Sequence, residues 1–287
     1  MSRWLSLVST VLVLAQPAHA GENPPTSLPK TSKWEINYDK EACHLLAKFG
    51  SGKEETLIRL TRYAPVDSFD LTLMGKLFDT QQPARALKIG FGIAPMAKSD
   101  AVAGTASNGV PMLLLGSLRI DGKTRATPDE KLPTITAETE ANAKAIELSL
   151  SGRHYRLETG PFSGPMEAMR KCVDDLVTSW GFDPNQYAGL RAPPQPLSSP
   201  ATWLDSADYP QRSLWKGNNG IVQFRLNIGQ DGSVEGCHIL YRTNPDEFAD
   251  LSCKLILKRA KFQPAVDADG KPARSFYVQK VRWMVRS

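Results

Sequence analysis

From Trp34 onward apolar and polar positions alternate with a period of two, the pattern of strands buried on one face. Trp34, Ile36 and Tyr38 open it, residues 56–62 and 69–73 continue it, and Ser51-Gly52 and Ala64-Pro65 interrupt it. Further strands are predicted over residues 86–93, 112–120 and 145–150. Asp121-Gly122, between Arg119 and Lys123, and Ser151-Gly152, which leads into His154-Tyr155-Arg156-Leu157, read as tight turns. After Gly164-Pro165 the period becomes helical: Met166, Met169, Val173, Leu176, Val177 and Trp180 share one face, and Gly181 ends the run. Residues 33–181 therefore read as a β-rich, sandwich- or barrel-like domain closed by one helix.

Residues 182–202 hold Pro184, Pro193, Pro194, Pro196 and Pro200, too many for an element interior, and predict a semi-extended linker. Beyond it, residues 203–287 read as a second, smaller domain. A short helix-like stretch follows Asp208-Tyr209-Pro210, and after Gly220 the positions Val222, Phe224, Leu226 and Ile228 alternate. Asp231-Gly232 predicts a hairpin turn into residues 234–241. Asn244-Pro245-Asp246 starts a helix with the apolar stripe Phe248, Leu251, Leu255 and Ile256, and its last turns carry Lys254, Lys258 and Arg259. A final strand over residues 274–285 puts Tyr277, Val281, Trp283 and Val285 on one face. The fold class is mainly β plus α+β, the second domain having one helix packed on a three-stranded antiparallel sheet.

The composition is that of a globular protein: 287 residues, 41% hydrophobic and 23% charged, with 21 Gly and 21 Pro. The net charge of +5 is spread along the chain without a block of like sign, which excludes a nucleic-acid-binding tail. At the start, Arg3 precedes an apolar run from Trp4 to Ala15, and Ala18-His19-Ala20 gives a small-x-small site. Residues 1–20 are therefore expected to be a cleaved Sec signal, which places the protein in the periplasm. The alternative is an inner-membrane anchor through residues 4–15, but that run falls short of the ~20 apolar residues of a spanning helix.

Export changes how the four cysteines are read, because thiols in an oxidising compartment pair. Cys43, Cys172, Cys237 and Cys253 contain no C-x-x-C, and the neighbours Cys43-His44 and Cys237-His238 lack zinc-ligand spacing. Four cysteines allow three connectivities. Cys43–Cys172 with Cys237–Cys253 is the one that respects the proposed domain boundary.

The ordered set Asp208-Tyr209-Pro210, Gly220-x-Val222-x-Phe224-x-Leu226, Asp231-Gly232, the Phe248/Leu251 helix, Phe262-x-Pro264-Ala265, Gly270-x-Pro272 and Trp283 resembles the TonB C-terminal domain family. The opening from Trp34 to Cys43 is faintly similar to exported β-sandwich families such as the invasion-associated locus B proteins. The first resemblance implies a TonB-like energy transducer, which carries inner-membrane energy across the periplasm to outer-membrane transporters. Typical members have an uncleaved N-terminal membrane helix and a long Pro-rich spacer. Here the start reads as cleavable and a folded domain replaces the spacer, departures that bear on force transmission and leave partner binding intact.

The resemblance also implies a site. The last strand would lie at a sheet edge and receive an extended partner segment, with Arg274, Phe276, Val278, Lys280 and Arg282 as the partner-binding residues. Tyr277, Val281 and Trp283 would face the core, while Arg274, Lys280 and Arg282 would face solvent and favour an acidic or polar peptide; the same charges on an edge also guard against aggregation. Elsewhere no enzyme site emerges. His44, His154 and His238 are isolated, Asp174-Asp175 point apart on a helix, residues 104–109 lack the Lys-Ser/Thr end of a phosphate loop, and Ser163 has no G-x-S-x-G elbow and reads as a helix N-cap. No metal or cofactor is expected. The expected partner is an outer-membrane or other envelope protein, bound by strand addition in the service of energy-coupled transmembrane transport. The alternative is a periplasmic structural or binding module whose first domain carries the function while the TonB-like domain docks it.

Overall fold

The computed structural model describes residues 24–79, 87–125, 130, 132–243 and 245–285. The leader expected over residues 1–20, and the alternative anchor through residues 4–15, lie outside the described residues. No helix among the described residues is long and apolar enough to cross a membrane.

The first part of the chain runs through β1 (Thr26–Pro29), β2 (Glu35–Tyr38), β3 (Cys43–Phe49), β4 (Thr56–Arg62), β5 (Phe69–Met74), β6 (Lys88–Gly90), β7 (Ala97–Lys98), β8 (Ala101–Thr105) and β9 (Pro111–Leu118). Helix α1 (Ala137–Asn142), strands β10 (Ile146–Leu150) and β11 (Arg153–Glu158), and helix α2 (Ser163–Ser179) follow. Strands β2-β3-β4-β5-β9-β8 form a six-stranded antiparallel sheet. Strands β1-β11-β10-β6-β7 form a five-stranded sheet in which β1 runs parallel to β11. The period-two pattern is satisfied by burial: Leu45, Ala47 and Phe49 of β3, Ile58 and Leu60 of β4, and Leu71 and Leu73 of β5 meet Leu148, Leu157 and the apolar face of α2 in one core. The Cys43–Cys172 bridge staples α2 to β3.

Some sequence expectations hold here and others change. Asp121-Gly122 forms the expected turn, in which the Gly122 N–H donates to the Arg119 carbonyl. Arg119 donates to Asp121 Oδ1 and Oδ2 at 2.9 and 2.8 Å and to the Pro133 carbonyl at 2.7 Å, tying the chain down before α1, which the hydrophobic pattern did not predict. Gly104 and Thr105 belong to β8, and residues 106–110 form the surface turn that joins it to β9. Ser163 is the first residue of α2 rather than its cap, and Phe162 precedes it with no side-chain capping bond.

The linker is also more ordered than its prolines suggest. Pro184 occupies the first turn of α3 (Pro184–Ala188), where its missing N–H costs nothing. Strand β12 (Gln195–Pro196) pairs with the later β15 (Phe262–Gln263). The rest comprises α4 (Gln211–Trp215), β13 (Gly220–Ile228), β14 (Val234–Arg242), α5 (Glu247–Arg259), β16 (Ala265–Val266), β17 (Pro272–Ala273) and β18 (Ser275–Trp283). Strands β14-β13-β18 make a three-stranded antiparallel sheet. Val222, Phe224, Leu226 and Ile228 pack with Phe248, Ala249 and Ile256 of α5 and with Trp203, Tyr209 and Trp283 in a second core. Cys237–Cys253 ties β14 to α5. Gly232 closes the β13–β14 turn at φ +80°, where a Cβ would lie 2.0 Å from the Phe262 carbonyl oxygen, so only glycine fits.

Candidate partner-binding edge

Strand β18 is an outer strand of its sheet, bonded on one side to β13. Which residues turn outward follows from the other side of β13. The Ile221 N–H donates to Thr243 Oγ1 at 2.9 Å, and the Thr243 N–H donates to the Ile221 carbonyl at 3.0 Å. Odd-numbered residues of β13 thus direct their backbone groups toward β14 and even-numbered ones toward β18. The register Val222↔Val281, Phe224↔Gln279 and Leu226↔Tyr277 assigns the inward groups of β18 to odd positions. Phe276, Val278, Lys280 and Arg282 turn their N–H and C=O outward, and the Lys280 N–H is met there by the side chain of its neighbour, donating to Gln279 Oε1 at 3.1 Å.

Arg274 and Arg282 are exposed as the sequence pattern suggested, but Lys280 is not, and Phe276 and Val278 are covered. Phe276 is 1% exposed, stacked on Tyr187 at 4.3 Å between centroids and edge-on to Trp180 and Phe182 at 5.4 and 5.1 Å. Val278 is half-buried against the first core. Lys280 Nζ lies 2.5 Å from Asp70 Oδ2 on β5. Arg274 donates to Glu235 Oε2 at 2.8 Å with its guanidinium over the Phe182 ring, and Arg282 is exposed. The reason is that the second face of the small sheet lies against the outer face of the six-stranded sheet. A narrow cavity between them is lined by Arg59, Thr61 and Thr72 on one side and by Ile221, Tyr241 and Arg282 on the other.

This seam is polar and incompletely paired. Arg225 of β13 is 4% exposed and stacks over Trp180 at 4.2 Å, and burial lowers its pKa to about 10 against the opposing pull of Glu41. Arg59 Nε, Trp180 Nε1, Gln223 Oε1, Arg225 Nε and Nη1, and Asn227 Oδ1 are buried there without hydrogen-bond partners, although buried polar groups are ordinarily bonded. Such a surface resembles an interface between separable units more than a core. The sequence pattern places Trp180 on the helix stripe without showing its contact with Arg225, and it does not single out Asp70, Tyr187 or Arg225, of which Asp70 and Arg225 are polar positions on strand faces that the period-two pattern assigns to solvent.

His44 lies on β3 and His238 on β14. His44 Nδ1 is 2.9 Å from Thr61 Oγ1, and burial, then the charge of Arg59, lowers its pKa against Asp39. Burial and Arg225 likewise lower that of His238. Among the described residues no group of three or more His, Cys, Asp or Glu could hold a metal ion.

The C-terminal part of the chain runs helix, strand, strand, helix, strand, with the last strand at the sheet edge. Residues 205–285 match the family model of the Gram-negative bacterial TonB protein C-terminal. The rest of the chain, including the Trp34–Cys43 opening, matches no family model. No curated protein and no solved structure matches the chain. The TonB-like match supports a protein of the cell envelope engaged in energy transduction or protein interaction, and the TonB C-terminal family itself is a non-enzymatic interaction domain.

Proposed function

We propose that this is a periplasmic, non-enzymatic TonB-like protein that takes up an extended segment of an outer-membrane or other envelope protein by strand addition, in the service of energy-coupled transport. Residues 33–181 form its β-rich body, residues 182–202 the connection and residues 203–287 the TonB-like unit. Arg274, Phe276, Val278, Lys280 and Arg282 form the receiving strand. The observation that carries this reading is the outward set of backbone groups on the edge strand β18, at positions 276, 278, 280 and 282. An edge of this kind binds another strand through main-chain hydrogen bonds, while neighbouring side chains select it. The expected leader and the two disulfides support export. A second reading, in which residues 33–181 carry the function and the small sheet docks them, draws support from the burial of Phe276 among Trp180, Phe182 and Tyr187.

The test is Val278→Pro. The Val278 N–H belongs to the outward set, so proline removes a donor from the free edge and leaves the β13 ladder intact. Wild type and variant are compared for capture of outer-membrane proteins, identified by mass spectrometry, with circular dichroism as the check on folding. Strand addition requires capture to fall at least tenfold in the folded variant, an order-of-magnitude expectation for losing a main-chain bond in an interface. Unchanged capture by a folded variant would sink the reading and move the search to residues 33–181.

A further inference from the structure

Beside the free edge lies a cleft of about 560 Å³ whose charge pattern main-chain pairing does not use. Val278, Gln279 and Lys280 form one wall, and residues from the β4–β5 connection and the segment after β9 form the others. Its carboxylates are already engaged. Asp67 accepts from Arg119 and from the Ile135 N–H, and Asp70 accepts from Lys280 Nζ and from the Ser117 N–H. Arg119 is held besides by Asp121. Lys123 and Arg125, which also line the cleft, form no salt bridge among the described residues, although the charge of Lys123 also acts on Asp121. Arg125 stands close enough to β18 for its charge to act on the hydroxyl of Tyr277.

The wall that holds Lys280 is built for it. Ser117 adopts φ +56°, a left-handed conformation uncommon outside glycine, where the β5–β9 register slips between Phe69 and Leu71, and the Asp70 carboxylate caps its N–H at 3.1 Å. A Cβ at the adjacent Gly116 would come within 3.0 Å of Lys280 Nζ, so glycine leaves the space in which the ammonium sits. Among the described residues Lys123 and Arg125 are thus the exposed cations of the cleft that form no salt bridge, while Arg62, a third cation of the lining, is buried and donates to the Asp67 carbonyl.

We infer that the cleft is a carboxylate-binding site, in which Lys123 and Arg125 hold an acidic side chain presented by a peptide lying along β18. That the carboxylate arrives on a peptide rests on the strand-addition reading; a free carboxylate would meet the same two cations. A strand added to β18 points alternate side chains to the face shared by Val278 and Lys280, and that face opens on the cleft. Both cations are exposed, so recognition weakens as salt screens it.

The experiment uses the purified full-length protein and two fluorescein-labelled nonapeptides, Ser-Val-Thr-Val-Glu-Val-Thr-Val-Ser and its Gln twin, followed by anisotropy at low salt. Sodium glutarate, followed by the ¹H–¹⁵N spectrum, supplies the free carboxylate. The Glu peptide is expected to bind about tenfold tighter than its twin, the scale of one charge-assisted hydrogen bond. In the double variant K123Q/R125Q, which changes two exposed side chains and leaves folding intact, the preference should vanish, while V278P should weaken both peptides. Equal binding of the two peptides, still lost in V278P, overturns the carboxylate site and leaves strand addition standing. Saturable glutarate shifts at Lys123 and Arg125, with neither peptide bound, support the site and refute strand addition as the route to it. A Glu preference that survives in K123Q/R125Q, or no response to peptide or glutarate, overturns the inference.

Discussion

Replacing Phe276 by alanine tests whether the small sheet is held against the rest of the chain by the aromatic contact seen here. The ring is 1% exposed and packed between Trp180, Phe182 and Tyr187, so Phe276→Ala removes a full buried side chain and opens a cavity among three other rings. Such truncations cost about 3–5 kcal/mol in well-packed sites. The stacked contact with Tyr187 at 4.3 Å belongs to that sum, at about 0.5–1.5 kcal/mol beyond area alone. With a urea m-value of about 3 kcal/mol/M for a chain of this size, a loss of about 4 kcal/mol lowers the unfolding midpoint by roughly 1.3 M. Tryptophan fluorescence is the assay, since Trp180 lies against Phe276 while Trp203 and Trp283 lie in the second core. Tyr187→Ala should reproduce part of the loss, and the double variant should cost less than the sum, because both residues share one contact. A midpoint shift under about 0.3 M for Phe276→Ala, with m unchanged, or strictly additive losses, would refute the packing and return residues 182–202 to the role of a free tether.

Removing the Cys237–Cys253 bridge by a double serine substitution frees a 16-residue separation and should lower stability by about 3 kcal/mol on the loop-entropy estimate, measured by urea titration; an unchanged midpoint would contradict it. Acidification should destabilise the fold through His44 and His238. Burial lowers both pKa values below the ordinary 6.5, so in the window between the folded and unfolded values the unfolded chain binds more protons and stability falls as pH falls. Below the folded values the dependence levels off. His44→Gln should flatten part of the slope in midpoints taken from pH 7.5 to pH 5, Asp39 partly opposing the effect and Arg59 adding to it; an unchanged slope would refute the assignment to His44.

Elements whose own residues carry their energetics were legible in the chain. The alternation in β4, β5 and β13 follows from side chains pointing to opposite faces of a strand, and the stripe of α2 from the helical period, so each of those buried faces could be read without knowing what covers it. Turn chemistry was equally local: Gly152 at φ +78° joins β10 to β11, and Gly232 joins β13 to β14.

What the chain did not reveal concerns faces rather than periods. A polar strand face looks the same whether water or another polar face lies against it, so the packing of Gln223, Arg225 and Lys280 toward the six-stranded sheet left no mark in the pattern. The linker was misjudged for a related reason. Proline excludes helix interiors and central strands, but it is tolerated in a first helical turn and on a short edge pairing, where Pro184 and Pro196 sit. Helix α1 is one and a half turns long, too short for a period to show, and its position is set by the Thr136 cap and by the Glu140 carboxylate that Arg170 of α2 holds at 2.6 and 3.1 Å. Hydrophobic period and turn residues therefore determined the longer elements and their buried faces, because those depend on neighbours along the chain. Only the tertiary structure decided which polar face meets which, and so where the free edge of β18 opens on a cleft, because pairing between distant charged and aromatic side chains depends on separations in space that no local pattern encodes.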